Sequence, residues 1–299
     1  MRCNGPLAVS GRRFHCWKRA GHGKVDLEAS LRESCDVYFY ELALKVGIEK
    51  ITDIARRFGL GTAHDIPMSG VASGLTPDKN WKRLNRSHDW VIGDTVNAAI
   101  GQGYVLTSPL QLAVMAARLA SGKSVVPRLI KKIDGIEQPN RQDPPLGLQD
   151  AHMQQIRKAM YEVSNNRRGT AYQSRIIDAK FRLAGKTGTS QVRNITEAER
   201  KRGVTKNSDL PWNRRDHALF VNFAPFDAPE IAVAVVVEHG GGGSKTAAPI
   251  ARDITLQALY DGDPPLSAYP AKDRSKIKAQ RQELEKLRQP FQSTRKSKV

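Results

Sequence analysis

No stretch of the 299-residue chain approaches the 18 consecutive apolar residues that a membrane-spanning helix requires, and Met1-Arg2-Cys3-Asn4-Gly5 does not open a secretory leader. Aromatic residues make up only 6% of the chain, leaving few rings to stack on bases. Cysteines number three, an odd count that leaves at least one thiol outside any internal disulfide. Acidic residues are outnumbered, 30 against 48 Lys and Arg, for a formal charge of +18. Charge of that size first suggests nucleic acid. The chain has no zinc-finger spacing and no aromatic-glycine RNA-binding signature, so no nucleic-acid partner is expected. Much of the excess is local: residues 271–299 hold ten basic and three acidic residues, a net of +7, with no apolar period. That segment reads as a solvated basic tail, with contact to an anionic lipid or polymer as the alternative.

What is present is enough for a core, since 39% of the residues are hydrophobic. Asp26 suits the N-cap of a short helix, with Glu28 in the first turn where the helix dipole favours a negative charge. Helical runs follow over 37–46, stopped by Gly47, and over 48–58, closed by Gly59. Residues 61–100, rich in Gly, Pro, Ser and Asp, read as a long irregular connection. Ser108-Pro109 then caps a helix over 110–120 that Gly122 ends, and 149–163 is amphipathic. Thereafter the pattern turns to β: 181–185, 217–224 and 230–238, the last two joined closely enough to form an antiparallel hairpin. A helix over 249–260 follows that can cover the sheet. Helices followed by an antiparallel sheet with a closing helix define an α+β domain over 1–262, with 263–299 as a flexible basic tail.

Two short segments carry candidate chemistry. Lys186-Thr187-Gly188-Thr189 lies directly after the strand expected at 181–185. It offers a cation, two hydroxyls and a glycine that permits close backbone approach, a set able to hold a carboxylate and present an oxyanion-binding N–H. Ser34-Cys35-Asp36 falls at a helix junction, where a serine by itself is usually a cap. Their order matches the second and third members of the Ser-x-x-Lys, Ser-Asp-Asn, Lys-Thr-Gly set of serine β-lactamases and penicillin-binding proteins.

Further segments extend the match: Ser34-Cys35-Asp36-Val37-Tyr38-Phe39-Tyr40, Gly101-Gln102-Gly103-Tyr104 with Ser108-Pro109, Gly169-Thr170-Ala171, Gly185-Lys186-Thr187-Gly188-Thr189 and His217-Ala218-Leu219-Phe220-Val221. Over about residues 10–260 the chain resembles class B penicillin-binding proteins, within them the elongation-specific penicillin-binding protein 2 type. The resemblance implies the penicillin-binding transpeptidase (serine β-lactamase-like) fold, N-terminally incomplete. It implies a D,D-transpeptidase acting on D-alanyl-D-alanine stem peptides of peptidoglycan, bound by β-lactams, at the periplasmic face of the inner membrane beside elongation-machinery proteins. By position, Ser34 would relay protons toward the leaving group, and Asp36 stands where many relatives have asparagine. Lys186, Thr187, Gly188 and Thr189 would hold the substrate carboxylate, the Thr189 N–H serving as an oxyanion donor. For the tail, wall polymer joins anionic lipid as a candidate contact. Within the superfamily a D,D-carboxypeptidase or β-lactamase, where water replaces the acceptor amine, is the alternative; a non-catalytic scaffold module is another.

One family element is missing from the sequence. The Ser-x-x-Lys nucleophile motif should precede Ser34, yet Ser10 is followed at the third place by Arg13 and Ser30 by Glu33. The expectation is that the nucleophile, with the membrane anchor and an accompanying domain, lies outside this chain, and that the chain alone is inactive. Ser293-Thr294-Arg295-Lys296 fits the pattern formally but stands on the wrong side of the other motifs. His239-Gly240-Gly241-Gly242-Gly243-Ser244-Lys245-Thr246 approaches a phosphate loop, but Ser244 interrupts Gly-Lys-Thr and the preceding hairpin is no βαβ unit, so the glycines read as a turn near the site.

All three cysteines, Cys3, Cys16 and Cys35, lie in the first 35 residues with His22 between the last two. Three sulfurs and an imidazole make a tetrahedral set suited to a structural Zn²⁺. Spacings of 13, 6 and 13 fit no standard finger, so the fold must gather the ligands. One disulfide with a spare thiol, or three buried thiols, are the alternatives. No cofactor is required for the chemistry itself, and a metal here would brace the Ser34 motif.

Overall fold

A computed structural model of the protein describes residues 1–139 and 142–288. The formal motif at Ser293 lies outside the described residues.

The chain opens with two small antiparallel ribbons, β1 (Arg2–Cys3) with β4 (Gly23–Lys24) and β2 (Pro6–Val9) with β3 (Arg12–His15). Asp26 caps α1 (Leu27–Arg32), its Oδ1 accepting from Ala29 N at 2.8 Å. Helix α2 (Asp36–Val46) ends at Gly47, whose φ of 82° suits a residue without a Cβ, and α3 (Ile48–Arg57) follows at once. The ribbons pack on α2 through Cys3, Cys16, Val25, Cys35, Val37, Tyr40 and Val96, a small core of its own.

Residues 61–100 contain two helices, α4 (Lys79–Arg86) and α5 (Ile92–Ala98), where the sequence suggested irregular chain. Asp78 accepts from Trp81 N, and Asp94 accepts both Val91 N at 3.0 Å and Lys82 Nζ at 2.6 Å. Caps and one ion pair organise a segment whose composition hides any apolar period. Helix α6 (Pro109–Ser121) has the expected start: Ser108 Oγ accepts from Gln111 N, and Gln111 Oε1 accepts from Ser108 N. The ribbon of β5 (Lys132–Ile133) and β6 (Ile136–Glu137) leads to α7 (Asp150–Asn165).

The main sheet has the order β7 (Ala184–Ser190), β8 (His217–Ala224), β9 (Ile231–Val237), all antiparallel. Lys186-Thr187-Gly188-Thr189 therefore lies inside a strand, not after it: the strand expected at 181–185 is shifted because β7 takes its register from β8, Lys186 opposite Val221. A short α8 (Glu197–Arg202) sits in the 191–216 insertion between β7 and β8. Helix α9 (Ala247–Leu259) covers one sheet face and α6 and α7 the other. Phe220 and Phe223 are buried on the two sides, Phe220 with Ala247, Ala248 and Ala251 and Phe223 with Ala120 and Met160. Each buried ring contributes about 1.5–3 kcal/mol through apolar burial.

Helix α10 (Ala271–Arg288) forms where the sequence shows no apolar period. Ile277 is buried, Arg274 and Arg281 donate to Tyr269, and Asp273 pairs with Arg252, so local polar contacts dock its first half. No helix among the described residues is long and apolar enough to cross a membrane.

Candidate active site

The site lies where the turn before α2 meets β7. Ser34 occupies the junction of α1 and α2 with φ 55°, a left-handed conformation rare for a residue with a Cβ. Two hydrogen bonds hold it there: Cys35 N donates to Ser30 O at 2.8 Å, and Trp17 Nε1 donates to Ser34 O at 2.8 Å. Across 152 residues of chain, Lys186 Nζ donates to Ser34 Oγ at 2.8 Å and also to Thr187 O at 2.8 Å. Burial lowers the Lys186 pKa to about 8, opposed by the nearby Asp36 charge, so the side chain remains an ammonium at neutral pH. Its partners are a hydroxyl and a carbonyl, which leaves its charge available to an incoming anion.

Thr187 Oγ1 lies 2.8 Å from Thr170 Oγ1, and Thr170 N donates to Arg32 O, so the 166–171 loop joins β7 to the end of α1. Buried Glu33 tightens the same joint by pairing with Arg32 and Arg168, each at 2.9 Å. On the other side, Gln102 Nε2 donates to Thr189 O at 2.9 Å, bringing the Gly101-Gln102-Gly103-Tyr104 segment to the strand end. Gly243 presses on the strand from its neighbouring turn: a Cβ there would stand 2.3 Å from Gly188 O and 2.2 Å from Leu219 O. Asp36 points toward the ribbon lobe, where its Oδ2 accepts from Trp17 N at 2.8 Å; desolvation raises its pKa to about 7.

The second cluster lies directly behind Ser34. The ligand atoms of Cys3, Cys16, His22 and Cys35 all fall within 4.8 Å of one another. His22 Nδ1 is 3.7 Å from Cys3 Sγ and 3.4 Å from Cys16 Sγ. A tetrahedral zinc with its usual bond lengths sets sulfur-to-nitrogen separations of about 3.6 Å, which these two distances match. All three cysteines are free thiols. A hydrogen bond from Cys35 lowers the Cys16 pKa, and the same contact raises that of Cys35.

The penicillin binding protein transpeptidase domain family matches residues 3–256. The chain belongs to that family. It is 35% identical over 269 residues to the peptidoglycan D,D-transpeptidase MrdA of Haemophilus influenzae, covering 88% of this chain and 41% of the relative. To the protein of the same name from Escherichia coli K12 it is 34% identical over 244 residues, covering 79% of this chain and 38% of the relative. Among solved structures it is similar to the penicillin-binding protein PBP2 of Helicobacter pylori in a complex with MreC, with a TM-score of 0.74 and 33% identity over 87% of this chain and 45% of that one. Pseudomonas aeruginosa PBP2 in complex with WCK 5153 gives a TM-score of 0.73 and 36% identity, over 87% of this chain and 55% of that one. The transpeptidase domain described here thus spans about two fifths of the length of the curated relatives it matches.

Within the transpeptidase domain, Ser34 and Lys186 meet, Thr187 and Thr189 line the same strand, and the side chains of Cys3, Cys16, His22 and Cys35 converge. Glu33, Arg168 and Trp17 are the participants that sequence reasoning missed. No sequence signal marks them, because each gains its role from a partner distant in the chain.

Proposed function

We propose that this domain supplies the carboxylate-binding and proton-relay parts of a peptidoglycan D,D-transpeptidase working in wall elongation. The observation that carries the reading is the Lys186 ammonium 2.8 Å from the Ser34 hydroxyl at the free edge of β7. In the reaction a serine Oγ attacks the penultimate D-alanine carbonyl of a stem peptide, the C–N bond to the last D-alanine breaks, and its nitrogen takes a proton through Ser34. An acceptor amine then attacks the ester, forming the cross-link and releasing the serine. Lys186, Thr187 and Thr189 hold the terminal carboxylate by charge-assisted hydrogen bonds, and the Thr189 N–H assists the oxyanion. Residues 1–33 hold no Ser-x-x-Lys motif, and in this proposal the attacking serine belongs to such a motif acting together with Ser34 and Lys186. The test is a D-alanine release assay with dimeric muropeptide analysis on a longer form carrying that motif. Cross-linked product supports the reading; D-alanine release without cross-links assigns a carboxypeptidase instead.

The cysteine-histidine cluster takes one zinc through Cys3, Cys16, His22 and Cys35 in this proposal, supported by the donor spacing above. The ion would act as a cross-link in the chain, bracing the Ser34 turn through Cys35, and would touch no substrate. Stem peptides and β-lactams are the ligands, and the periplasmic face of the inner membrane is the proposed location. MreC-type elongation proteins are proposed partners, on the strength of the Helicobacter pylori complex. Three exposed lysines of α10, Lys272, Lys276 and Lys278, suit contact with anionic lipid or wall polymer.

A further inference from the structure

Between Cys16 and His22 runs a short loop whose side chains reach two rims of the candidate site. Trp17 is 61% exposed, yet both of its N–H groups are engaged. Its backbone N–H donates to Asp36 Oδ2 at 2.8 Å, and its indole Nε1 donates to Ser34 O at 2.8 Å and Glu33 O at 3.1 Å. Ser34 holds a φ of 55°, a conformation that persists only where neighbours impose it. The indole is one such neighbour.

Arg19 reaches the other way. Its Nη2 donates to Arg200 O at 2.7 Å, in α8 of the 191–216 insertion. That insertion leaves β7 directly after Ser190, and its base is fastened to the glycine turn, Gly241 N donating to Asp216 O at 2.8 Å. Arg193 clasps Glu199 inside it by two bonds of 2.6 and 2.7 Å, an internal tie to which Arg19 adds one from outside. The loop itself packs backbone to backbone against the chain beside Cys3. A Cβ on Gly21 would stand 2.1 Å from Cys3 O, and one on Gly5 would stand 2.2 Å from Arg19 O.

We propose that Trp17 and Arg19 are positioning residues through which the loop tied by Cys16 and His22 holds both the Ser34 turn and the 191–216 insertion, so that metal occupancy sets the geometry of both rims of the Lys186 site. The metal-dependent part rests on the zinc reading given above; the two tethers rest on contacts within the chain itself. A tetrahedral cross-link removes the freedom of the loop that carries both side chains. Without the ion, the loop keeps its short ribbon strands, its backbone packing and the hydrogen bonds of Trp17 and Arg19, but loses the cross-link between its two ends.

Hydrogen exchange by mass spectrometry on the 299-residue chain tests this, in zinc-loaded protein and after chelation under reducing conditions. The amides to follow are those of Ser34 and Cys35, bonded to Leu31 O and Ser30 O, and those of Arg200 in α8 and Gly203 at its C-cap. Zinc removal is expected to speed exchange in both segments about tenfold while α7 stays protected. In loaded protein Trp17→Phe should loosen the 33–36 segment alone and Arg19→Ala the 197–203 segment alone, with Arg19→Lys restoring protection and zinc content unchanged in all. Unaltered exchange in both variants overturns the proposal, as does loosening that extends to α7, which would mark the side chains as general supports. Zinc loss that loosens neither segment also overturns it. A chain that binds no zinc refutes the metal reading, and with it the metal dependence, while the two variants still decide the tethers.

Discussion

Replacing Gly243 with alanine should damage the candidate site without touching any of its side chains. The added Cβ would lie 2.2 Å from Leu219 O and 2.3 Å from Gly188 O, both backbone atoms of paired strands, while real Cβ contacts essentially never fall under 3.0 Å. The turn or the strands must therefore separate by at least about 0.7–0.8 Å, and neither obstacle is a flexible side chain that can swing aside. Overpacking of this kind costs about 1–3 kcal/mol. At about 2–4 °C per kcal/mol for a domain of this size class, the melting midpoint should fall by roughly 2–12 °C. The displaced atoms belong to Gly188, next to Thr187 and Thr189, so binding of a D-alanyl-D-alanine peptide should weaken along with stability. Thermal melting followed by circular dichroism, with peptide titration below the midpoint, reads both effects. An unchanged midpoint together with unchanged peptide affinity would refute the close approach of the glycine turn to β7.

Purified protein should contain one zinc per chain, and Cys16→Ser or His22→Ala should remove it; metal analysis finding none, or a disulfide under non-reducing mass spectrometry, would count against this. Carboxylate binding should weaken as pH rises through about 8, because the Lys186 ammonium is the binding form and burial brings its pKa down to that value. The sign for stability is opposite: the unfolded chain keeps that proton to higher pH, so this group's contribution to stability rises between about pH 8 and pH 10. Peptide titrations at pH 6.5 and pH 9.5 that give equal affinity would contradict the assignment. Glu33→Gln should cost about 1–3 kcal/mol in urea unfolding, since it leaves the Arg32 and Arg168 guanidiniums at a 6%-exposed side chain without its charge. A change below about 0.5 kcal/mol would show that the joint between α1 and the 166–171 loop is held by other contacts.

Local rules made much of this fold legible in the sequence. Asp26, Ser108, Gly47 and Gly122 each mark a helix end through their own side chain or lack of one, and the structure places helix ends at all four. The near-continuous apolar run of β8 likewise marks a strand covered on both faces, and residues 220–224 are all buried. What escaped was set by distant partners. β7 takes its register from β8, which moved Lys186 from behind a strand to inside one. α4 and α5 rest on Asp78 and on the Lys82–Asp94 pair, within a segment whose glycines and prolines suggested irregular chain. α10 docks through Arg252, Tyr269 and Asp273 where an apolar stripe would have been the readable signal. The candidate site divides the same way: motif residues were visible by type and order, while Glu33, Arg168 and Trp17 acquire meaning only once residues 17, 33, 168 and 186 are neighbours.

The central claim is that Lys186 and its neighbours form the carboxylate-binding half of a β-lactam-sensitive acyl-transfer site. Covalent labelling by fluorescent penicillin, compared between the 299-residue chain and a form extended upstream to include Ser-x-x-Lys, tests it most directly. No labelling of the 299-residue chain is expected, because removing the nucleophile from such a unit costs on the order of a million-fold in turnover. Labelling of the extended form is expected, strongly depressed by Lys186→Ala and unchanged by Ser293→Ala. Labelling of the 299-residue chain itself, or an extended form that labels equally well without Lys186, would contradict the claim.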